Sequence, residues 1–394
     1  MFNDSLNRGN GSQQVIKEMN LRRVFSLIEK HDGISRAEIA SHTGLSPTTV
    51  SSLSEELISH GYIYEAGPGE LASSGRKPIL LKINPAGACI IAADLQPGGF
   101  NIGCFDLACS PLSERYIPLD DYRMFGRTFC LETERLLKEC KYEKENILGI
   151  CLGAPGIIDR SSHRIVSSTI LPVDSRNDFY QLISEEFPDT QIELMNESSL
   201  SAYTENEYNS ELDGIMNLLF IDVHEGIGAG IIIKGGIYEG ADALAGEFGH
   251  ISVDVNGPIC KCGSRGCLEV MANIPALVKD VQALNPVAGI GSFEDIAGDY
   301  REKGLYAAEI NRIAIYLAYG INSAMNLMNP GAVVIGGKIR ELGDRFLEQI
   351  KGTIMKISLY KDRKTRILLS RYEGNPVTAG GARYIFNKTF EVGK

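Results

Sequence analysis

Apolar positions Leu21, Val24, Phe25, Leu27 and Ile28 recur every three or four residues, which predicts a helix over 20–30. Ser35 followed by Glu38 is a capping-box pattern that opens a short helix through Ile39, Ala40 and His42; Gly44 suits its left-handed end. Ser46 and Pro47 start another helix, with Val50, Leu53, Leu57 and Ile58 on one face up to Gly61. Two strand patterns, 62–65 and 79–83, then flank a Gly/Ser-rich loop over 67–75. Helix, glycine turn, helix and hairpin together predict a winged helix-turn-helix, with the second helix offered to a DNA major groove.

From Ala88 onward the period shifts. Residues 90–94 and 100–105 read as strands, 129–140 as a helix, and 147–152 as a buried strand running into Gly153. Strand patterns return at 218–223 and 231–233, a helical stretch covers 307–327, and 330–337 is a strand ending in paired glycines. Gly380-Gly381-Ala382 opens a last helix. Strands alternating with helices imply an α/β body.

At 394 residues the chain has room for two or three domains, and no apolar run approaches the ~20 residues of a membrane span. The first residues lack the basic and apolar regions of a signal peptide. Nine cysteines, six of them scattered, imply reduced thiols in the cytoplasm and not a disulfide framework. The net charge of −11 argues against a general nucleic-acid binder, but it is uneven: residues 1–85 hold nine basic and nine acidic residues. A neutral N-terminal unit on an acidic body still binds DNA if its cations share a face. Its candidate DNA contacts are Ser46, Thr48, Thr49, Ser51 and Ser52 on the second helix, with Arg76 and Lys77 in the wing placed for phosphate or minor groove. Such trihelical units also serve as protein-contact modules.

Four residues stand out for metal chemistry. His250, Cys260, Cys262 and Cys267 follow the pattern H-x9-C-x-C-x4-C, a donor set suited to a closed tetrahedral Zn2+ site. Gly263 and Gly266 let the chain fold tightly between the sulfurs. Gly226, Gly228 and Gly230 have two readings, a backbone cradle for phosphate or a crowded hairpin.

The stretch from Gly226 to His250, the cysteine cluster closing on Gly266-Cys267-Leu268-Glu269, the run GAPGIID (153–159) and the run NPGAVVIGG (329–337) resemble the ROK family of repressors and sugar kinases. The resemblance covers nearly the whole chain. It implies an actin-like (ribonuclease H-like) two-lobed sugar-kinase fold preceded by a winged helix-turn-helix. The N-terminal unit places the chain beside regulators such as the xylose and N-acetylglucosamine repressors. The expected layout is a flexible tail over 1–18, the DNA-binding domain over 19–84, a first lobe over 85–200 completed by a helix over 376–394, and a second lobe over 201–375 bearing the zinc. Carried over by motif, the sugar-binding positions are Asn196, Glu197, Glu247, His250 and Glu269. Carboxylates and amides are the acceptors that sugar hydroxyls need. Asn196-Glu197 also suits a simple strand-ending turn.

Three departures from the family's kinases point one way. Where they carry Asp-x-Gly-Gly-Thr-Lys, this chain reads Asp94-Leu95-Gln96-Pro97-Gly98-Gly99, with no lysine and one amide lost to proline. His224-Glu225 replaces Gly-Thr in the second phosphate loop, and Glu197 stands where the catalytic aspartate would. The expectation is a sugar-responsive repressor with no catalytic residues, one that has lost ATP and works as a homodimer or tetramer on a double-stranded operator. The alternative is an ATP-dependent sugar kinase of the same family; a weaker one keeps the body as a scaffold.

Overall fold

The computed structural model describes residues 12–68, 77–168, 170–172, 179–284 and 292–390. The N-terminal elements are α1 (Ser12–Lys30), β1 (Ile34–Ser35), α2 (Arg36–Thr43), α3 (Pro47–Ser59), β2 (Ile63–Pro68) and β3 (Ile79–Ile83). The Ser35 hydroxyl accepts the Glu38 N–H (3.3 Å) and the Glu38 carboxylate accepts the Ser35 N–H (2.9 Å), so the capping box fixes where α2 begins. Gly44 at φ 71° ends it. Val24, Phe25, Ile28, Ile39, Val50, Leu53, Leu57 and Leu81 are buried, and the strands form a sheet of order β1-β3-β2. Residues 12–18, expected in the tail, form the start of α1; residues 1–11 lie outside the described residues. Once the packed half of a helix is nucleated, each added turn needs few further contacts, and Lys17 pairs with Glu56 at 2.8 Å. Arg76 lies outside the described residues; Lys77 is exposed.

Next come β4 (Cys89–Gln96), β5 (Gly99–Asp106), β6 (Pro111–Pro118), α4 (Phe125–Cys140), β7 (Ile147–Ala154), β8 (Ile157–Asp159), β9 (Arg164–Ser167), α5 (Phe179–Glu186) and β10 (Gln191–Asn196). They are followed by α6 (Glu197–Tyr208), β11 (Asn217–Val223), β12 (Ile227–Ile233), β13 (Gly236–Ile237), α7 (Leu268–Ala272), α8 (Ile274–Leu284), α9 (Phe293–Lys303) and α10 (Ala307–Met328). The chain closes with β14 (Ala332–Gly336), α11 (Asp344–Ile357), β15 (Arg366–Leu369) and α12 (Pro376–Phe390).

Two five-stranded sheets repeat one topology, β6-β5-β4-β7-β10 and β13-β12-β11-β14-β15. In each, an antiparallel meander precedes a strand added parallel to its first member, β7 on β4 and β14 on β11. This is the duplicated α/β plan of the actin-like fold. The chain folds as two compact units: residues 1–154, 173–195 and 381–394 form one, and 155–172 with 196–380 the other. The β8–β9 hairpin and everything from Asn196 to Gly380 therefore belong to the second unit. Its core gathers β11, β12 and β14 against α7 to α11 through residues such as Phe248, Leu268, Tyr300, Leu317 and Phe346.

The last helix starts at Pro376, four residues before the paired glycines, because Asn375 Oδ1 accepts the Val377 and Thr378 N–H groups and caps it there. Gly380 sits inside the helix: a Cβ there would lie 2.2 Å from the Leu200 carbonyl oxygen.

Candidate functional site: a His/Cys cluster, a ring of acids and a groove helix

His250 ends a short 3-10 turn, and the next 17 residues hold almost no regular structure, only the isolated bridges Ser252–Cys267 and Ile259–Arg265. Gly263 (φ 89°) and Gly266 (φ 58°) take backbone conformations that disfavour a side chain, and a Cβ on Gly266 would strike the Asp254 carbonyl at 1.7 Å. These turns bring four donor atoms to within 4.8 Å of one another. Cys262 Sγ lies 3.6 Å from Cys267 Sγ, and His250 Nδ1 lies 3.8 Å from Cys260 Sγ. A tetrahedron with metal–sulfur arms of about 2.3 Å has edges of about 3.8 Å, so the cluster fits a tetrahedral ion. Burial pushes the Cys267 thiol up to about 12, whereas the Ser264 backbone pulls the Cys262 thiol down. A central cation supplies the charge that lets a buried sulfur ionise.

The other imidazole nitrogen faces away from the sulfurs: His250 Nε2 is 3.8 Å from Glu247 Oε2. Burial holds the Glu247 carboxyl above its ordinary range; His250 opposes this, and the neighbouring Glu269 adds to it. Glu269, in the first turn of α7, accepts the Ile227 N–H at 3.3 Å. A Cβ on Gly226 would sit 3.0 Å from the same oxygen. Asn196 caps α6, accepting the Ser199 N–H (3.1 Å) and donating to the Gly156 carbonyl (3.2 Å), which leaves Glu197 in the first turn. Gly228 and Gly230 press β12 onto that helix: a Cβ on either would lie within 2.4 Å of Ser198 or Ala202. The alternating glycines are thus hairpin glycines that let β12 approach α6. The five sequence-derived sugar positions all lie in the second unit, on α6, α7 and the loop that starts the cluster.

Both turns that align with the kinases' phosphate loops are tied by the protein's own groups. In the first unit Gln96 pairs with Gly99 across Pro97-Gly98, a two-residue turn with Gly98 at φ 83°. Asp94 is buried within β4 and accepts from Gln96 Nε2 at 2.5 Å, and the Tyr122 hydroxyl donates to the Gln96 carbonyl. In the second unit the His224 N–H bonds to the Gly226 carbonyl (2.9 Å), and its imidazole lies between Asp222 (3.1 Å) and the Lys338 N–H (3.4 Å).

On α3, Val50, Leu53 and Leu57 face the core while Thr48 and Ser52 are exposed and Thr49 and Ser51 half-buried. Ser46 is committed to the cap: its hydroxyl accepts the Thr49 N–H (3.1 Å) and contacts the Thr48 and Thr49 hydroxyls at 2.8 Å each. Among the described residues no helix is long and apolar enough to cross a membrane.

A family model described as the ROK family matches residues 124–389, and one described as winged helix-turn-helix DNA-binding matches residues 20–64. The chain is 30% identical over 372 residues to a putative xylose repressor of Caldicellulosiruptor sp., covering 88% of this chain and 90% of that protein. It is 27% identical over 382 residues to the DNA-binding transcriptional dual regulator NagC of Escherichia coli, covering 94% and 93%. A crystal structure of a ROK family transcriptional regulator, described as a homolog of the E. coli Mlc protein, superposes with a TM-score of 0.83. It has 25% identity and covers 95% of this chain and 97% of that one.

Proposed function

The chain belongs to the ROK family, and on that premise we propose that it is a sugar-responsive transcriptional repressor of carbohydrate-utilisation genes. One combination carries the proposal: the chain has a winged helix in its first unit and, in its second, acids gathered around a metal-type cluster, and both turns aligned with phosphate loops are tied by the protein's own groups. His250, Cys260, Cys262 and Cys267 hold a structural Zn2+. Held there, the ion would brace the loop from which His250 and Glu247 reach a sugar, with Glu269, Asn196 and Glu197 as further acceptors. Each sugar hydroxyl donates to an acceptor already oriented by the fold, which is how a site rejects analogues lacking that hydroxyl. Thr48, Thr49, Ser51, Ser52 and Lys77 face DNA, and two copies read the two half-sites of an operator. Sugar acts by binding one state of the dimer more tightly than the other. Relatives named as repressors, together with the closed phosphate turns, support a role without catalysis.

The test is fluorescence anisotropy of the full-length protein on labelled DNA from upstream of its own gene, titrated with a panel of sugars. Tight binding released by one sugar is the expected result. Binding no stronger than to a random fragment, or ATP turnover that rises with sugar, would favour the kinase alternative.

Glu269 separates the two halves of this function. Glu269→Gln keeps the size of the side chain but weakens both its hold on the Ile227 N–H and its acceptance of a hydroxyl. We expect sugar affinity to fall about 10- to 100-fold, as for loss of a charge-assisted hydrogen bond worth ~1.5–3 kcal/mol, with operator affinity within about twofold of wild type. Calorimetric sugar titration beside the anisotropy assay decides it; unchanged sugar affinity would remove Glu269 from the site.

A further inference from the structure

The exposed face of α3 carries one charged group beyond the hydroxyl side chains already placed there. Val50, Leu53, Ser54 and Leu57 fix the buried face. Opposite them Thr48, Ser51, Ser52 and Glu55 fall at positions i, i+3, i+4 and i+7, the spacing by which a helix lying in a major groove presents side chains to successive base edges. The Glu55 side chain is 71% exposed. It is also held. Arg36, the first residue of α2, donates from Nη2 to Glu55 Oε1 (3.3 Å) and from Nη1 to Glu65 Oε1 on β2 (2.8 Å). That guanidinium is only 21% exposed, so it sits as a fork between the groove helix and the wing, fixing the carboxylate through one oxygen.

We propose, resting on the DNA-binding reading above, that Glu55 is the specificity-determining residue of the groove helix. It reads a cytosine by accepting from the exocyclic N4 amine, with Arg36 as its positioning residue. The chemistry of the face leads there. Serine and threonine hydroxyls both donate and accept, so Thr48, Ser51 and Ser52 tolerate several bases. An ionised carboxylate only accepts. In the major groove it matches the amine edge of cytosine and is repelled by the acceptor edges of guanine and thymine, and by phosphate. An acid in this position therefore weakens non-specific binding while sharpening choice at one base pair. A further carboxylate on α3, Glu56, is drawn off to Lys17 at 2.8 Å, which leaves Glu55 as the acid set among the base-facing positions.

The experiment selects operator-like sequences from a randomised DNA library with the full-length protein, then measures each base preference by competition. For wild type we expect one C·G pair per half-site whose replacement costs about 10- to 100-fold in affinity. Glu55→Ala should flatten preference at that pair to within about threefold and leave the other positions, the melting temperature and sugar release unchanged. Glu55→Gln should move the preference toward adenine, because a carboxamide pairs with adenine N6 and N7. Arg36→Ala should blunt discrimination at the same pair alone, and Arg36→Lys should restore part of it. A Glu55→Ala protein that binds tightly with an unaltered base profile overturns the proposal. Wild type that selects no sequence at all overturns the DNA-binding reading itself, a separate and recognisable failure.

Discussion

Cys267→Ser should yield a protein that has lost its metal and its response to sugar together while still binding DNA. Cys267 is fully buried and immediately precedes α7, so its sulfur joins the cluster to the helix carrying Glu269. The loop it closes has no regular elements beyond two isolated bridges, and its last hydrogen bonds, such as Leu268 N–H to the Ile251 carbonyl, depend on the turns the sulfurs gather. In such a segment a zinc ion held by the cluster would take the place of a hydrophobic core. Apparent binding energies of structural zinc sites reach about 10–16 kcal/mol, well beyond what a loop of this kind gains by packing. Without such an ion, His250 would lack the partner proposed to orient Nε2 toward Glu247, and Glu269 would lack an anchored neighbour. The winged helix belongs to the other compact unit. Metal content by mass spectrometry should drop from one ion per chain to none. Sugar affinity should fall at least about 100-fold, and operator affinity should stay within a few fold. A metal-free variant that still releases DNA at wild-type sugar concentrations would break the proposed link between zinc and sugar.

Local chemistry was legible in the sequence. The capping box at Ser35 and Glu38, the Gly44 stop and the Ser46-Pro47 start each act within one turn of backbone, and each sits where the residues place it. The spacing of His250 and the three cysteines is likewise self-contained, and the four donor atoms converge. Chemistry whose deciding partner is distant in sequence was not legible. Whether Gly228 and Gly230 cradle phosphate or let a hairpin approach a helix depends on Ser198 and Ala202, some thirty residues earlier. The paired glycines of α12 look like a helix start, yet Gly380 is required by the Leu200 carbonyl it passes. Helices α8, α9 and α11 were not legible in the sequence because their apolar faces answer to one another and to α10 across the second core. Glu55 was legible as a residue but not as a reader: only the buried face of α3 and the reach of Arg36 from a different helix show where it points.

Phe390→Ala should loosen the winged helix from the C-terminal helix within the first unit and weaken operator binding without touching the sugar site. Phe390 stacks on Phe25 of α1 with centroids 3.9 Å apart and planes at 17°, meets Tyr62 edge-on at 5.4 Å and lies 5.3 Å from Phe386. All three phenylalanines are 1% exposed or less. The aromatic cluster is bordered by polar ties from the same helix: Arg383 pairs with Glu29 at 2.7 Å and lies over the Phe386 ring at 4.8 Å, and Arg22 reaches the Lys388 carbonyl at 3.3 Å. Truncating a buried phenylalanine to alanine costs about 3–5 kcal/mol, from lost transfer energy and the cavity left behind. The neighbouring rings belong to α1, α12 and the segment entering β2, so that loss falls on the seam between the DNA-binding elements and the C-terminal helix. Hydrogen exchange should show the amides of α1 opening at a free energy lower by about 3 kcal/mol, with the β11–β14 ladder unchanged. Operator affinity should fall at least tenfold, because a loosely held winged helix must be ordered again on binding, while sugar affinity should match wild type. Wild-type exchange in α1 would show that α1 does not depend on this seam for its seating. A drop in sugar affinity equal to the drop in operator affinity would mean instead that the substitution unfolds the whole chain.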